Sequence, residues 1–226
     1  MKKTFAMTLQ AALQKIKCLS GSDKKEKQTK YDSSKFRYVL LENKTAEISS
    51  YEGRASSLNI PDELEGHTVT SIGDGAFRWR SSLTSVTIPH SVTSIGEWAF
   101  TKCKNLKSVT IPQSVTSIGD MAFSECRKLT GVTIPDGVTS IGKWAFFECK
   151  NLKSVTIPDS VTSIEGQTFY KCENLKSVTI PDSVTSIGDW AFSGCSSLNS
   201  MTIPDSVKSI GENAFQSCVK LNSVTI

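Results

Sequence analysis

Six cysteines recur at a step of 23 residues, Cys103, Cys126, Cys149, Cys172, Cys195 and Cys218, and Cys18 stands apart near the start. Thiols can pair, ligate metals or act as nucleophiles. None of these spacings has the short paired steps of a zinc site. If one unit closes one coil, neighbouring thiols lie about 5 Å apart with parallel Cβ vectors. A relaxed disulfide brings its Cβ atoms to about 3.8 Å, so pairing along the column is not expected. The column is expected to be structural, its thiols buried as small apolar groups. Such thiols suit a reducing setting better than an oxidising one.

Other chemistry is scarce. Gly137–Trp144, GVTSIGKW, approaches a phosphate-binding loop, but Trp144 occupies the place of the hydroxyl that holds Mg²⁺. The neighbouring unit reads SVTSIGDW, so the match is a by-product of the repeat. His67 and His90 are the two histidines, and no Ser/His/Asp or Cys/His set assembles around them. The chain is expected to be non-enzymatic, with no cofactor and no metal. Asp136, Asp159, Asp182 and Asp205 follow a proline in successive units. They read as turn residues bonding their own backbone, with a metal-binding column as the alternative.

What remains is surface. Thr87, Thr110, Thr133, Thr156, Thr179, Thr202 and Thr225 share one outward strand position, with Ser85, Ser108, Gly131, Ser154, Ser177, Ser200 and Ser223 beside them. A flat hydroxyl array fits a glycan, a protein strand or an ice lattice; equally, Thr suits strands and keeps an open sheet soluble. Lys107, Lys153 and Lys176 each follow the leucine that opens a unit, at the edge of that array. Trp98, Trp144 and Trp190 recur in every second unit, with Met121, Gln167 and Asn213 between them. They read either as a lateral packing row or as an aromatic platform. Partner contact is therefore expected at Lys107, Lys153, Lys176, Thr110, Thr133, Thr156, Thr179 and the three tryptophans.

The elements that must position these residues follow from the period. Ile72 through Ile210 and Phe77 through Phe215 keep the 23-residue step without slip. A unit this short cannot bury its own apolar face, so the units must stack into a solenoid, of α/β or mostly β type, with one shared core. In LKSVTIPDSVTSIGDWAFSGCSS, SVTI alternates as a half-buried strand and Pro ends it. VTSI turns Val and Ile inward again in a second extended or tight-turn segment, Gly is expected to relieve the next bend, and Ala-Phe with Cys fills the far side. Ala55–Ser82 is an imperfect first coil with ELEGH inserted at a turn, and the solenoid runs over 55–226. Ahead of it, over 31–54, FRYVLL, NKT and AEISSY predict a β-hairpin cap.

These units, preceded by SYEGRASSLNIPDELEGHTVTSIGDGAF, resemble the BspA-like leucine-rich repeat family over 36–226. The resemblance implies a right-handed leucine-rich-repeat solenoid with a parallel β-sheet on one face. It also implies a cell-surface or secreted protein concerned with adhesion to matrix proteins or other cells.

Eight lysines against Asp23 and Glu26 give residues 1–30 a charge of +6, which leaves −2 of the total +4 for the remainder. The solenoid thus carries no nucleic-acid footprint. Phe5, Leu9, Leu13 and Ile16 predict an amphipathic helix over 4–19, suited to an anionic membrane surface or a protein, and 20–30 reads as a basic linker. Gln10, Gln14, Lys15 and Lys17 interrupt the apolar run and argue against a cleaved signal, which leaves a cytoplasmic location open beside the cell surface. The chain stops on a strand at Val224-Thr225-Ile226. Self-association of two copies through Val224 and Ile226 is the alternative to binding a foreign protein or glycan.

Overall fold

The computed structural model describes residues 33–225; the segments 4–19 and 20–30 and Ile226 lie outside the described residues. Two strands, β1 (Phe36–Leu40) and β2 (Ala46–Tyr51), pair antiparallel as the expected hairpin. Their turn is held by the Asn43 Oδ1, which accepts from the Thr45 amide at 3.1 Å and its hydroxyl at 2.7 Å. After β3 (Ser57–Asn59), the ELEGH insertion is itself a small hairpin: β4 (Glu63–Leu64) runs antiparallel to β5 (His67–Ile72). Glu65 and Gly66 at φ 52° and 84° make its tight turn, the chemistry that two-residue hairpins require. Leu64 is buried beneath it. Because β2 also pairs parallel with β5, the first hairpin lies over the open side of the first coil.

From there the chain repeats as a solenoid with no α-helix among the described residues. Two parallel ladders run along it, one through SVT and a second through the Ser-Ile of VTSI, which is extended. The first joins β3 to Ser85–Thr87 and Ser108–Thr110, then Ser154–Thr156 to Ser177–Thr179, then Ser200–Thr202 to Ser223–Thr225. It is interrupted at Gly131–Thr133, where glycine replaces the serine that opens the strand elsewhere. The second is made of two-residue Ser-Ile pairs, from Ser71 and Ile72 through Ser140 and Ile141, and again from Ser163–Ile164 to Ser209–Ile210.

The core lies between the ladders and a third, turn-rich tract. Phe77, Phe100, Phe123, Phe146, Phe169 and Phe192 are wholly buried, and successive rings stack at 4.9–5.5 Å within 10° of parallel. Tyr51 continues the stack into the hairpin, 5.5 Å from Phe77. Each such pair adds roughly 0.5–1.5 kcal/mol beyond the area it buries.

In the third tract alternate amides reach the next coil, as Trp98 N to Asp120 O at 2.9 Å and Phe100 N to Ala122 O at 2.7 Å. The amides between them close local turns, as Thr101 N to Trp98 O at 2.9 Å. This geometry needs two left-handed residues per coil. One column holds Trp98, Met121, Trp144, Gln167, Trp190 and Asn213 at φ 52–58°. The other holds Trp79, Lys102, Glu125, Glu148, Lys171 and Ser217 at φ 52–61°. The glycine expected to relieve the bend has a different task. Gly96, Gly119 and Gly142 stand back to back between coils, and a Cβ on Gly119 would come 2.7 Å from the carbonyl carbon of Gly96. Close approach, not backbone freedom, requires glycine there.

Glu165 occupies that column once. At this coil the second ladder breaks, and neither Thr162 nor Glu165 donates the amide bond that Thr139 and Gly142 give to Thr116 and Ile118 at 2.9 and 2.8 Å.

Candidate functional site

The cysteines, first candidates for chemistry, form the inner wall. All six described thiols are free; Cys103 through Cys195 are buried and Cys218 is half-buried. Each Sγ meets the carbonyl oxygen of a phenylalanine one coil earlier, from Cys103 to Phe77 at 3.0 Å to Cys218 to Phe192 at 3.2 Å. Burial pushes the Cys103 thiol up to about 12 and holds those of Cys126, Cys149, Cys172 and Cys195 well above the ordinary range. A protonated thiol with no solvent path is not a nucleophile.

The carboxylates of Asp136, Asp159, Asp182 and Asp205 are exposed and do not bond their own backbone as expected. Other aspartates carry that work between coils: Asp74, Asp120 and Asp189 accept from the amides of Glu97, Lys143 and Glu212, each at 2.8 Å. Among the described residues no group of three His, Cys, Asp or Glu side chains could hold a metal ion.

The tryptophan row lies on the turn-rich tract, half-buried. Trp98, Met121 and Trp144, with Arg78 and Phe147, line a groove of about 380 Å³. Several side chains here engage one another, while Arg78 Nε is buried without a hydrogen-bond partner among the described residues. Trp98 Nε1 donates to the Met121 sulfur at 2.8 Å, Thr101 Oγ1 donates to Met121 O at 2.6 Å, and Phe147 stacks on Tyr170 at 5.2 Å. Tyr170 in turn meets Trp190 edge-on at 6.3 Å, so the row packs across adjacent coils. Arg78, Phe147 and Tyr170 belong to this tract although their column is not aromatic in every unit; only the fold brings them beside the tryptophans.

The hydroxyl ladder is exposed along its length, from Thr87 through Thr110, Thr133, Thr156, Thr179 and Thr202 to Thr225. Lys107, Lys153 and Lys176 are exposed at its edge and join one backbone column. Thr130 N donates to Lys107 O at 3.2 Å, Lys153 N to Thr130 O at 3.2 Å and Lys176 N to Lys153 O at 2.9 Å. The nearby glutamates are already engaged: Glu125 by Lys102 and Arg127, Glu148 by Arg127, and Glu173 by Lys150. Lys107, Lys153 and Lys176 therefore face solvent without a carboxylate partner among the described residues. Lys153 and Lys176, with Thr130, Asn151 and Asn174, line a groove of about 400 Å³. Lys107 stands outside it, two coils before Lys153. The two asparagines stand one 23-residue step apart, each directly before the leucine that opens its unit, but the groove they line exists only once the coils stack.

Val224, named for self-association, is 44% exposed on Ser223–Thr225, and Ile210 is 49% exposed on the second ladder. Among the described residues no helix is long and apolar enough to cross a membrane.

The family described as "BspA type Leucine rich repeat region" matches residues 50–176 and 162–226, in six copies. A leucine-rich repeat protein of T. pallidum superposes with a TM-score of 0.82 at 31% identity, covering 85% of this chain and 91% of that one. A leucine rich cell surface protein of Faecalibacterium prausnitzii A2-165 superposes with a TM-score of 0.80 at 40% identity. That alignment covers 86% of this chain, which spans 53% of the relative's length. No curated protein sequence matches the chain.

Proposed function

The chain belongs to the BspA-type leucine-rich repeat family, and from that premise we propose that it is a non-enzymatic interaction module holding a protein or glycan partner against its hydroxyl-bearing sheet face. The observation that carries this reading is the contrast between two surfaces. On the turn-rich tract the aromatic side chains pack on one another and Trp98 and Thr101 donate to Met121, whereas on the sheet face the threonine hydroxyls and three lysines project unpaired into solvent. A rigid array of unsatisfied donors and acceptors gains contacts on meeting a partner and costs little ordering, because its backbone is already fixed. The cell-surface designation of the F. prausnitzii relative supports placement of this chain at a cell surface, where adhesion is the corresponding role.

The test is binding to a panel of immobilised matrix proteins and glycans, comparing the parent with two folded variants. Thr133→Tyr with Thr156→Tyr places bulk on the sheet face in residues that strands accept, and should abolish the strongest interaction. Trp98→Ala with Trp144→Ala should leave it intact. Loss through the tryptophan variant alone would move the site to the turn-rich tract.

A further inference from the structure

We propose that the groove lined by Thr130, Asn151, Lys153, Asn174 and Lys176 is a docking site for a linear polysaccharide bearing sulfate or carboxylate groups. The inference rests on the sheet face being the contact surface and names the class of partner.

Charge is the first argument. Lys153 and Lys176 are exposed, joined through their backbones one coil apart, and free of carboxylate partners among the described residues, because Glu125, Glu148 and Glu173 are held by Lys102, Arg127 and Lys150. The coil step of about 5 Å makes them part of a line of positive charge along the solenoid axis, continued by Lys107 two coils away. A partner with regularly spaced anions matches such a line; a single anion does not.

The second argument concerns what the face lacks. Protein partners are anchored by a few buried aromatic or aliphatic side chains seated in apolar pockets. Here the outward side chains beside the groove are Ser154, Thr156, Ser177 and Thr179, all exposed, and the large exposed apolar residues Val39, Leu40, Trp79, Ile210, Val219 and Val224 all belong to other coils. Hydroxyls and amides are hydrogen-bond partners for a polyhydroxylated chain. Asn174 spends its amide hydrogens on Lys150 O and on the Asn151 oxygen at 2.9 and 3.2 Å, which turns the Asn151 amide nitrogen into a free donor at the groove. Gly131 leaves the neighbouring surface open, with no atom within 4 Å of a Cβ placed there. A stiff polymer can therefore lie flat across it.

The experiment uses the full chain with heparin as probe, uncharged dextran as the neutral control and poly-L-glutamate as the acidic-peptide control. Because residues 1–30 carry +6, a tail variant (Lys24→Gln, Lys25→Gln, Lys27→Gln) accompanies the groove variant (Lys153→Gln, Lys176→Gln). The groove variant, folded by circular dichroism, should bind heparin roughly tenfold or more weakly at low salt, while the tail variant holds the parent affinity. Parent binding should fade by about 0.5 M salt, and dextran should not bind. Absence of heparin binding, an unchanged affinity in the groove variant, loss confined to the tail variant, or equal binding of dextran overturns the proposal. Preference for poly-L-glutamate at the groove overturns the polysaccharide while leaving the sheet face as the contact surface. Survival of every interaction in the Thr133→Tyr, Thr156→Tyr protein overturns the sheet face itself.

Discussion

Gly119 stands so close to Gly96 of the preceding coil that a Cβ on it would lie 2.7 Å from that residue's carbonyl carbon. The neighbour is backbone, so the contact cannot be relieved by turning a side chain. Gly119→Ala should therefore destabilise the protein by about 1–3 kcal/mol in urea unfolding. Gly131→Ser, where a Cβ meets nothing within 4 Å, should be neutral or stabilising. Equal effects of the two changes would dismiss close approach as the reason for the glycine column.

The break at Glu165 should be repairable. Changing Glu165→Gly together with Gly166→Asp restores the local sequence of the neighbouring coils and gives two amides, at positions 162 and 165, their ladder partners. At about 0.5–1.5 kcal/mol for each bond, the gain should raise the melting temperature by a few degrees. Hydrogen exchange at the Thr162 amide should slow in the same variant. If exchange there is already as slow as at Thr139 in the parent, the ladder is not broken.

The cysteine column makes stability depend on alkaline pH. Burial raises the folded-state value of Cys103 to about 12, against about 8.5 in the unfolded chain. The stabilisation is fully present below about pH 8.5 and is lost as pH climbs from there toward the folded value, by about 1.4 kcal/mol per pH unit for each such thiol. Cys103→Ala should flatten that slope in denaturant titrations between about pH 9 and 11. A parent slope of zero there would show the thiols to be solvated.

Thiol labelling of the native protein reports the same column independently. A maleimide should spare Cys103 through Cys195 and modify Cys218, which is half-buried, more slowly than an open thiol. Rapid modification of Cys126 or Cys149 would contradict their burial.

Lys171 sits at φ 54° in a tract that demands the left-handed conformation. Lys171→Val should cost about 1–2 kcal/mol, since a branched Cβ fits that region poorly, whereas Lys171→Gly should be neutral or slightly stabilising. Chemical denaturation of the two variants distinguishes them. A harmless valine would mean that the turn adapts to other dihedrals.

Much of the architecture was legible because a period converts directly into geometry. Once Ile95, Ile118 and Ile141 recur at one step, they must stack, and the alternation in SVTI decides which side chains point inward. The phenylalanine and cysteine columns follow from the same reasoning, as do the exposed threonines. The hairpin was equally plain, since NKT between two alternating runs supplies its turn.

The rest depends on contacts between units, which no single unit contains. The reason for Gly119 is the backbone of Gly96, and the break at Glu165 appears only when the coils are laid side by side. The two left-handed columns follow from the need of alternate amides to reach the next coil, and residues as unlike as Trp98 and Gln167 accept that conformation. Whether a lysine is free is likewise a tertiary matter. Arg127 takes Glu148 from 21 residues away and Lys150 takes Glu173 from 23 away, and those pairings leave Lys153 and Lys176 without a counterion. By itself the sequence determined the coil and its inward face, because periodicity and side-chain polarity are local properties. Only the stacked structure decided which charges remain unpaired and where a groove opens, because both depend on distances across neighbouring coils.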